Sequence, residues 1–443
     1  MDEPTLFPLP PTVPAASTQG SGRPRVERAD RAQIEWRPLA LDQLLPAEHR
    51  ARLVWRFVEG LDLSPLYARI AAVEGTPGRP AIDPQILVAL WLYATLEGVG
   101  SARALDRLCT EHLAYQWLCG GVSVNYHTLA DFRVQHVEIL DDLLTQSVAA
   151  LLHEGLVTLA VVTQDGYKVR ASAGAASFHR RGTLQRCLKV ARRHVAGLRQ
   201  EVAADPAALT RRQQVARERA AREREQRARA ALTHVAELER AKQAQRNRNP
   251  REPRASSTDP EARVMKMSDG GYRPAYNVQL VRPLDAPIVV GVEATNAGSD
   301  FGQLPPMLAQ LEARYGQTPS TVVADGGFAK KADLVTLSAP PHPCTVIAPV
   351  LAPKKPGQDR YAPRCGDPPA VAAWRRRMAT AAARALLRQR PGAAEWVNAQ
   401  VSNRGLIRVR VRGLAKVRAV VLWHALAINL LHGHALRAAA TAT

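Results

Sequence analysis

A run of β-branched residues that stops on an acid and a glycine occurs twice in this chain. Val161-Val162-Thr163-Gln164 leads into Asp165-Gly166 and then the cations Lys168 and Arg170; Thr321-Val322-Val323-Ala324 leads into Asp325-Gly326-Gly327. Asp and Gly both disfavour strand interiors, so each strand is expected to end there and present its aspartate at the tip. Two strand-tip aspartates can sit side by side and share a divalent cation. Taken singly, each Asp-Gly reads more readily as ordinary turn chemistry.

The surroundings of the pair favour a sheet. Tyr276 to Val281 alternates as a strand, Pro287 to Val292 reads as a buried strand, and Cys344 to Ala348 as a fifth. A helix is expected over Gln303 to Tyr315, with Leu308 and Leu311 on one face. Three strands followed by helix–strand alternation predict a mixed sheet with helices on both faces, an α/β class.

Before this the period is helical, from about 40 to 150. Asp83-Pro84 is an N-cap followed by Pro at the first helical position, and Ile86, Leu87, Leu90, Trp91 and Ala94 follow at helical spacing. Gly98-Val99-Gly100 ends that helix, Ser101 caps the next, and Gly120-Gly121 closes the segment. Short helices joined by glycine turns suit a DNA reader of the helix-turn-helix kind, and equally a small helical bundle. Residues 1–38, with Arg23, Arg25, Arg28 and Arg31, read as a disordered basic arm.

The 443 residues carry a net charge of +20, which implies a polyanionic partner, nucleic acid being the usual one. The five cysteines form no CxxC pair, which argues against zinc, and their odd number fits a reducing cytosol. The apolar stretch Ala419 to Leu431 is short and broken by His424 and Asn429, so no membrane span is expected.

An insert from 184 to about 250 is rich in Arg, Ala, Gln and Glu. Val195, Leu198 and Val202 keep one seam, Asp205-Pro206 makes a turn, and Leu232, Val235 and Leu238 keep a second. That predicts a coiled-coil-like helical hairpin, with Arg246 to Ser257 as a linker back. Beyond the fifth strand a Pro-rich excursion (353–369) precedes an arginine-rich helix over 370–390 and a further helical stretch over 393–402. Ile407 to Arg412 alternates as a strand, and 416–436 reads as an amphipathic helix packed on the sheet.

Phosphodiester chemistry needs charge neutralised at the attacking and leaving oxygens, which two Mg²⁺ ions roughly 4 Å apart can do when carboxylates hold them. Asp165 and Asp325 supply two acids. Glu395 is the only acid from Thr380 to the last residue, and it lies on the helix that would follow the fifth strand.

These stretches resemble bacterial insertion-sequence transposases of the DDE class, which pair an N-terminal helical domain with an RNase H-like core. The resemblance rests on QDGYKVRASAGAASFHRR (164–181), DPEARVMKMSDGGYRPAYNVQ (259–279), VEATNAGSDFGQLPPML (292–308), VVADGGF (322–328), RQRPGAAEWVNAQVSNRGL (388–406), and GRPAIDPQ to NYHTLADFR (78–133). It implies an RNase H-like mixed sheet, a helical DNA-binding domain over 39–150, and a catalytic domain over 151–436 interrupted by the 184–250 insert. It implies Asp165, Asp325 and Glu395 as catalytic acids holding two Mg²⁺ ions, with Mn²⁺ as a substitute. The implied reaction frees a 3′-OH at the transposon end and joins it to target DNA. Lys168, Arg170, Arg390, Arg404 and Arg133 would touch the DNA. Leu387 stands where family members often carry Tyr and Ser402 where they carry Lys. The implied partners are double-stranded DNA, namely terminal inverted repeats and target, and further copies of the chain as a homodimer or larger multimer. The implied setting is the bacterial cytoplasm, on the nucleoid. An RNase H-like nuclease without strand transfer, or an inactive transposase-derived DNA-binding protein, would share much of this pattern.

Overall fold

The helical half is punctuated by local chemistry. The computed structural model describes residues 40–72, 80–204, 210–244, 252–341, 343–353 and 357–442. The basic arm, the Asp205-Pro206 turn and the first part of the 246–257 linker lie outside the described residues. Ahead of the first strand come α1 (Arg50–Glu59), α2 (Ser64–Tyr67), α3 (Pro84–Leu96), α4 (Ala102–Glu111), α5 (Leu113–Cys119), α6 (Tyr126–Gln135) and α7 (Val137–His153). The Asp83 carboxylate caps α3 by accepting from Gln85 N at 2.8 Å, and Ser101 caps α4. Gly120 ends α5 in the left-handed region, at φ 57°, where glycine pays no Cβ penalty.

The sheet half opens with β1 (Val161–Arg170) and β2 (Phe178–His179). Next come α8 (Arg181–Ala204) and α9 (Arg211–Ala244), then β3 (Ala255–Ser256), β4 (Arg263–Lys266), β5 (Tyr272–Pro283) and β6 (Gly291–Thr295). The chain continues through α10 (Leu304–Tyr315), β7 (Thr321–Val323), α11 (Lys331–Leu337), β8 (Thr345–Ile347), α12 (Pro369–Met378), α13 (Ala381–Asn403) and α14 (Leu414–Thr441). The main sheet runs β6-β5-β1-β7-β8, with β4 also on β5. β5 is antiparallel to β1, β4 and β6, whereas β1, β7 and β8 are parallel. Three antiparallel strands continued by two parallel ones make an RNase H-like mixed sheet. α8 and α9 form a hairpin buried along Val195, Leu198 and Ala221 and laced by Arg192–Glu225 and Arg217–Glu201 pairs. The small β2–β3 ladder sits at its base.

Several expectations are corrected. The strand expected over 287–292 is displaced to Gly291–Thr295, because the Asn429 side chain takes both backbone groups of Val289, each at 2.7 Å. Ile407–Arg412 is no strand: it makes a single parallel bridge, Arg408 beside Arg170. Pro391 does not divide two helices but lies inside α13. The break falls at Thr380, whose hydroxyl accepts from Ala383 N at 3.2 Å. Buried Ala393, Ala394, Val397 and Val401 hold the helix beyond the proline.

Helix α14 is buried round its whole circumference from Ala419 to Leu430, not amphipathic as expected. It packs on α3, α6, α7 and β6, so one continuous core joins the helical half to the sheet. Among the described residues α14 alone is long and apolar enough to cross a bilayer by length and composition, and most of that stretch is buried inside the protein. Its first turn is fixed by the 259–261 stretch: Glu261 accepts from Leu414 N at 2.7 Å, as suits a carboxylate at a helix N-terminus. Asp259 accepts from Tyr276 Oη at 2.7 Å and from Gly413 N at 3.2 Å.

Candidate active site

Strand register brings the two aspartates level. Thr163 lies beside Val323 in the parallel β1–β7 pair, and two further residues along each chain stand Asp165 and Asp325. β7 stops at Val323, whereas β1 stays paired to β5 as far as Arg170. Asp165 therefore lies within a strand, opposite Leu280, and not at its tip. The long β5 partner overrides the local preference of Asp-Gly to end a strand. The end of β7 leaves that edge of β1 without a partner strand at Asp165.

Helix α13 crosses the Asp165 face. Arg390 Nη2 donates to Asp165 Oδ1 at 2.7 Å and Asn398 Nδ2 to Oδ2 at 2.8 Å. The same Arg390 nitrogen stands 3.9 Å from Asp325 Oδ2, so one guanidinium spans both carboxylates. Burial raises the Asp165 carboxyl above its ordinary range, Arg390 and Asn398 pull it back, and Asp325 adds to the rise. Asp325 is more open, and its Oδ1 accepts from Gly327 N at 2.7 Å, capping the short turn Gly326–Phe328.

The third acid lies on the same helix as Arg390 and Asn398. Glu395 is exposed and sits one turn before Asn398 on α13, about 60° round the helix from it and about 140° from Arg390. Among the described residues no group of three His, Cys, Asp or Glu side chains is gathered closely enough to hold a metal. Asp165 and Asp325 are hard oxygen donors turned toward one cationic group, which is the donor chemistry that Mg²⁺ or Mn²⁺ takes. Glu395 does not complete the set in this conformation.

The expected DNA contacts divide in three. Arg390 is at the acids. Lys168 and Arg170 fall on the opposite face of β1, since the strand alternates without a bulge from Val162 to Arg170. Arg133 and Arg404 lie together away from the acids, where α6 and the end of α13 meet the turn after α3.

Two features escaped the sequence reading. Asn398 is the first, a polar residue two turns beyond Arg390 on the same face of α13. The second is a buried polar network behind Asp165. Asp300 Oδ1 accepts from Asn277 at 2.7 Å and from Gln279 at 2.9 Å, and Gln164 donates to Gln279 at 2.8 Å. All three amides are fully buried. Their signal was two amides spaced by two along a strand that is otherwise apolar, which marks one polar buried face.

No curated protein and no solved structure matches the chain. Residues 39–135, the helical half up to the end of α6, match the family model described as Transposase domain (DUF772). That match covers 97 of the 443 residues, so it likens the helical half to a transposase domain and leaves the sheet and its acids unassigned.

Proposed function

We propose that the chain is a DDE-type transposase that cuts DNA at the ends of a mobile element and joins the freed 3′-OH to target DNA. The observation that carries the reading is the pair Asp165 and Asp325, level on adjacent parallel strands and spanned by Arg390. In this reading Asp165, Asp325 and Glu395 would hold two Mg²⁺ ions. Bound there, such ions neutralise charge on the attacking and leaving oxygens of a phosphodiester. Asn398 orients Asp165 throughout. Arg390 screens the repulsion between the two carboxylates and would be free to bind a DNA phosphate wherever another cation neutralised them. Glu395 joins by a movement of α13 beyond Pro391, where the proline lacks the N–H that would bond the Leu387 carbonyl. The enzyme acts as a homodimer or larger multimer on nucleoid DNA in the cytoplasm.

The test is cleavage of a duplex carrying the element's terminal repeats. Asp165→Asn, Asp325→Asn and Glu395→Gln should each reduce Mg²⁺-dependent cutting by more than about a thousandfold, roughly 4 kcal/mol of barrier, with DNA binding retained. Near-wild-type cutting by any one variant removes that acid from the site. Strand transfer of a labelled 3′-OH end into a plasmid separates a transposase from a nuclease that only cuts. The separation of Glu395 from the pair favours a second reading, a DNA-binding protein without catalysis; wild-type protein that binds the repeats and never cuts them would establish it.

A further inference from the structure

Two glycine turns meet backbone to backbone at the junction of the helical half and the sheet half. Gly98, after α3, and Gly405, after α13, both have positive φ, 70° and 82°. A Cβ on Gly405 would stand 3.1 Å from the Gly98 carbonyl oxygen, so only glycine allows this approach. Beside them is a cavity of about 250 Å³ whose lining includes Arg133, Arg404, Arg408, Arg410 and His424. No carboxylate lines it.

Such a cluster is unfavourable by itself, since like charges repel most strongly where water is excluded. Burial and the facing Arg410 pull the Arg133 guanidinium down to about 10. Burial, then Arg133 and Arg404, pull His424 down to about 3, leaving its ring neutral. Two polar atoms at the cavity are buried without a partner: Arg404 Nε and His424 Nδ1. His424 as a whole is 5% exposed. Other donors are committed to the walls, with Arg133 Nη1 on Gly100 O at 2.7 Å and Arg404 Nη1 on Gln400 O at 3.0 Å. These bonds fix where the guanidinium groups point. His424 and Thr95 are buried, whereas Ile407, Arg408 and Arg410 are exposed, so the cavity is polar at its floor and opens past arginines.

We infer that this cavity is a binding site for one phosphodiester group of the DNA backbone. The inference rests on the reading that the chain acts on DNA and goes beyond the catalytic acids. A phosphodiester brings one negative charge and oxygens that only accept, which is what a set of guanidinium donors without carboxylates would recognise. Filling the cavity turns repulsion among the arginines into attraction to a shared anion. The exposed Arg408 and Arg410 carry the positive surface outward, where neighbouring phosphates of the same strand would run; a free anion has no use for them. Because the walls come from both halves, a phosphate held there ties the DNA to the helical half and to the end of α13 at once.

The test uses the full chain with two probes, inorganic phosphate and a DNA duplex. Phosphate should raise the melting temperature of the wild type and fail to raise that of Arg404→Gln. For both Arg404→Gln and Arg410→Gln, duplex affinity at low salt should fall about tenfold. The slope of log K against log salt should flatten by about one, the signature of one lost phosphate contact. Arg410 is exposed, so its variant reports on binding even where Arg404→Gln folds poorly. Phosphate stabilisation equal in both variants and wild type would overturn the site. Loss of phosphate stabilisation with an unchanged DNA affinity and slope would overturn the DNA assignment in favour of a free anion. A wild type stabilised by phosphate that binds no duplex would sink the DNA reading of the whole chain while leaving an anion pocket in place.

Discussion

The two Asp-Gly pairs share a local sequence and occupy different physical situations. Around Asp165 the strand continues, paired to β5 on one side, with α13 over one face and the Asp300 network behind the other. Around Asp325 the strand has ended, and the carboxylate caps a turn of its own chain. One aspartate is held by groups more than a hundred residues away; the other is held by its neighbour but one. The difference teaches that a strand's end is decided by its partners, and that the same dipeptide is a rigid interior element in one place and a local turn in the other.

The comparison is broken most severely by removing the charges. Asp165→Asn and Asp325→Asn should both abolish cutting, as above, so activity does not distinguish the sites. Stability does, and the glycines show it first. A Cβ on Gly166 would overlap Asp300 Oδ1 and stand 3.0 Å from Asn277 Oδ1. Asp300 could retreat only by releasing its bonds from Asn277 and Gln279, both buried amides. Gly166→Ala should therefore destabilise by about 1–3 kcal/mol, read as a lower urea midpoint. A midpoint equal to wild type would mean that the Asp300 network yields without cost.

The next effect is smaller and depends on pH. The Asp165 carboxyl titrates above its unfolded value because of burial. Below the unfolded value both states hold the proton and the site costs nothing. As pH rises through the folded value, ionisation is resisted in the folded protein, and stability is lost relative to acid. Asp165→Asn removes that loss while Arg390 keeps Asp325 nearby. Between pH 3 and pH 7 its melting temperature should gain on the wild type's, since the cost of setting an amide NH2 against Arg390 or Asn398 is the same at every pH. Asp325→Asn should show no such gain, since asparagine caps a turn as well as aspartate does. Parallel melting curves for the two variants across pH would erase the distinction.

How much of this can be read from the sequence follows from how far each determinant reaches. The caps at Asp83 and Ser101 and the stop at Gly120 act within four residues, and the helical half falls where they place it. The strand cores around Val162, Val278, Val322 and Val346 were also readable from their apolar runs. Strand ends were not: Asn429 acts on Val289 across 140 residues, and β5 carries β1 past Gly166. Pro391 was read as a break because propensity counts the missing N–H and not the buried Ala394 and Val397 that hold the helix. At the site, Asp165, Asp325 and Arg390 were recognisable. Asn398 and the Asp300 network were not, because their roles exist only once α13 has been laid on one face of β1 and the 300–303 stretch on the other.

The mildest test of the comparison is Gly326→Ala. A Cβ there would meet nothing closer than Pro349 O at 3.7 Å, an ordinary contact. No partner strand passes the Gly326 backbone, and the neighbouring Asp325 keeps its bond to Gly327 N. The change should stay within about 0.5 kcal/mol of wild type. Gly327→Ala differs, since its Cβ would stand 2.9 Å from Asp325 Oδ1 and push the carboxylate away from Arg390. Of the two alanines, only the second should therefore slow cutting. If Gly326→Ala were as damaging as Gly166→Ala, the turn after β7 would be as tightly enclosed as the middle of β1, and the contrast between the two regions would fail.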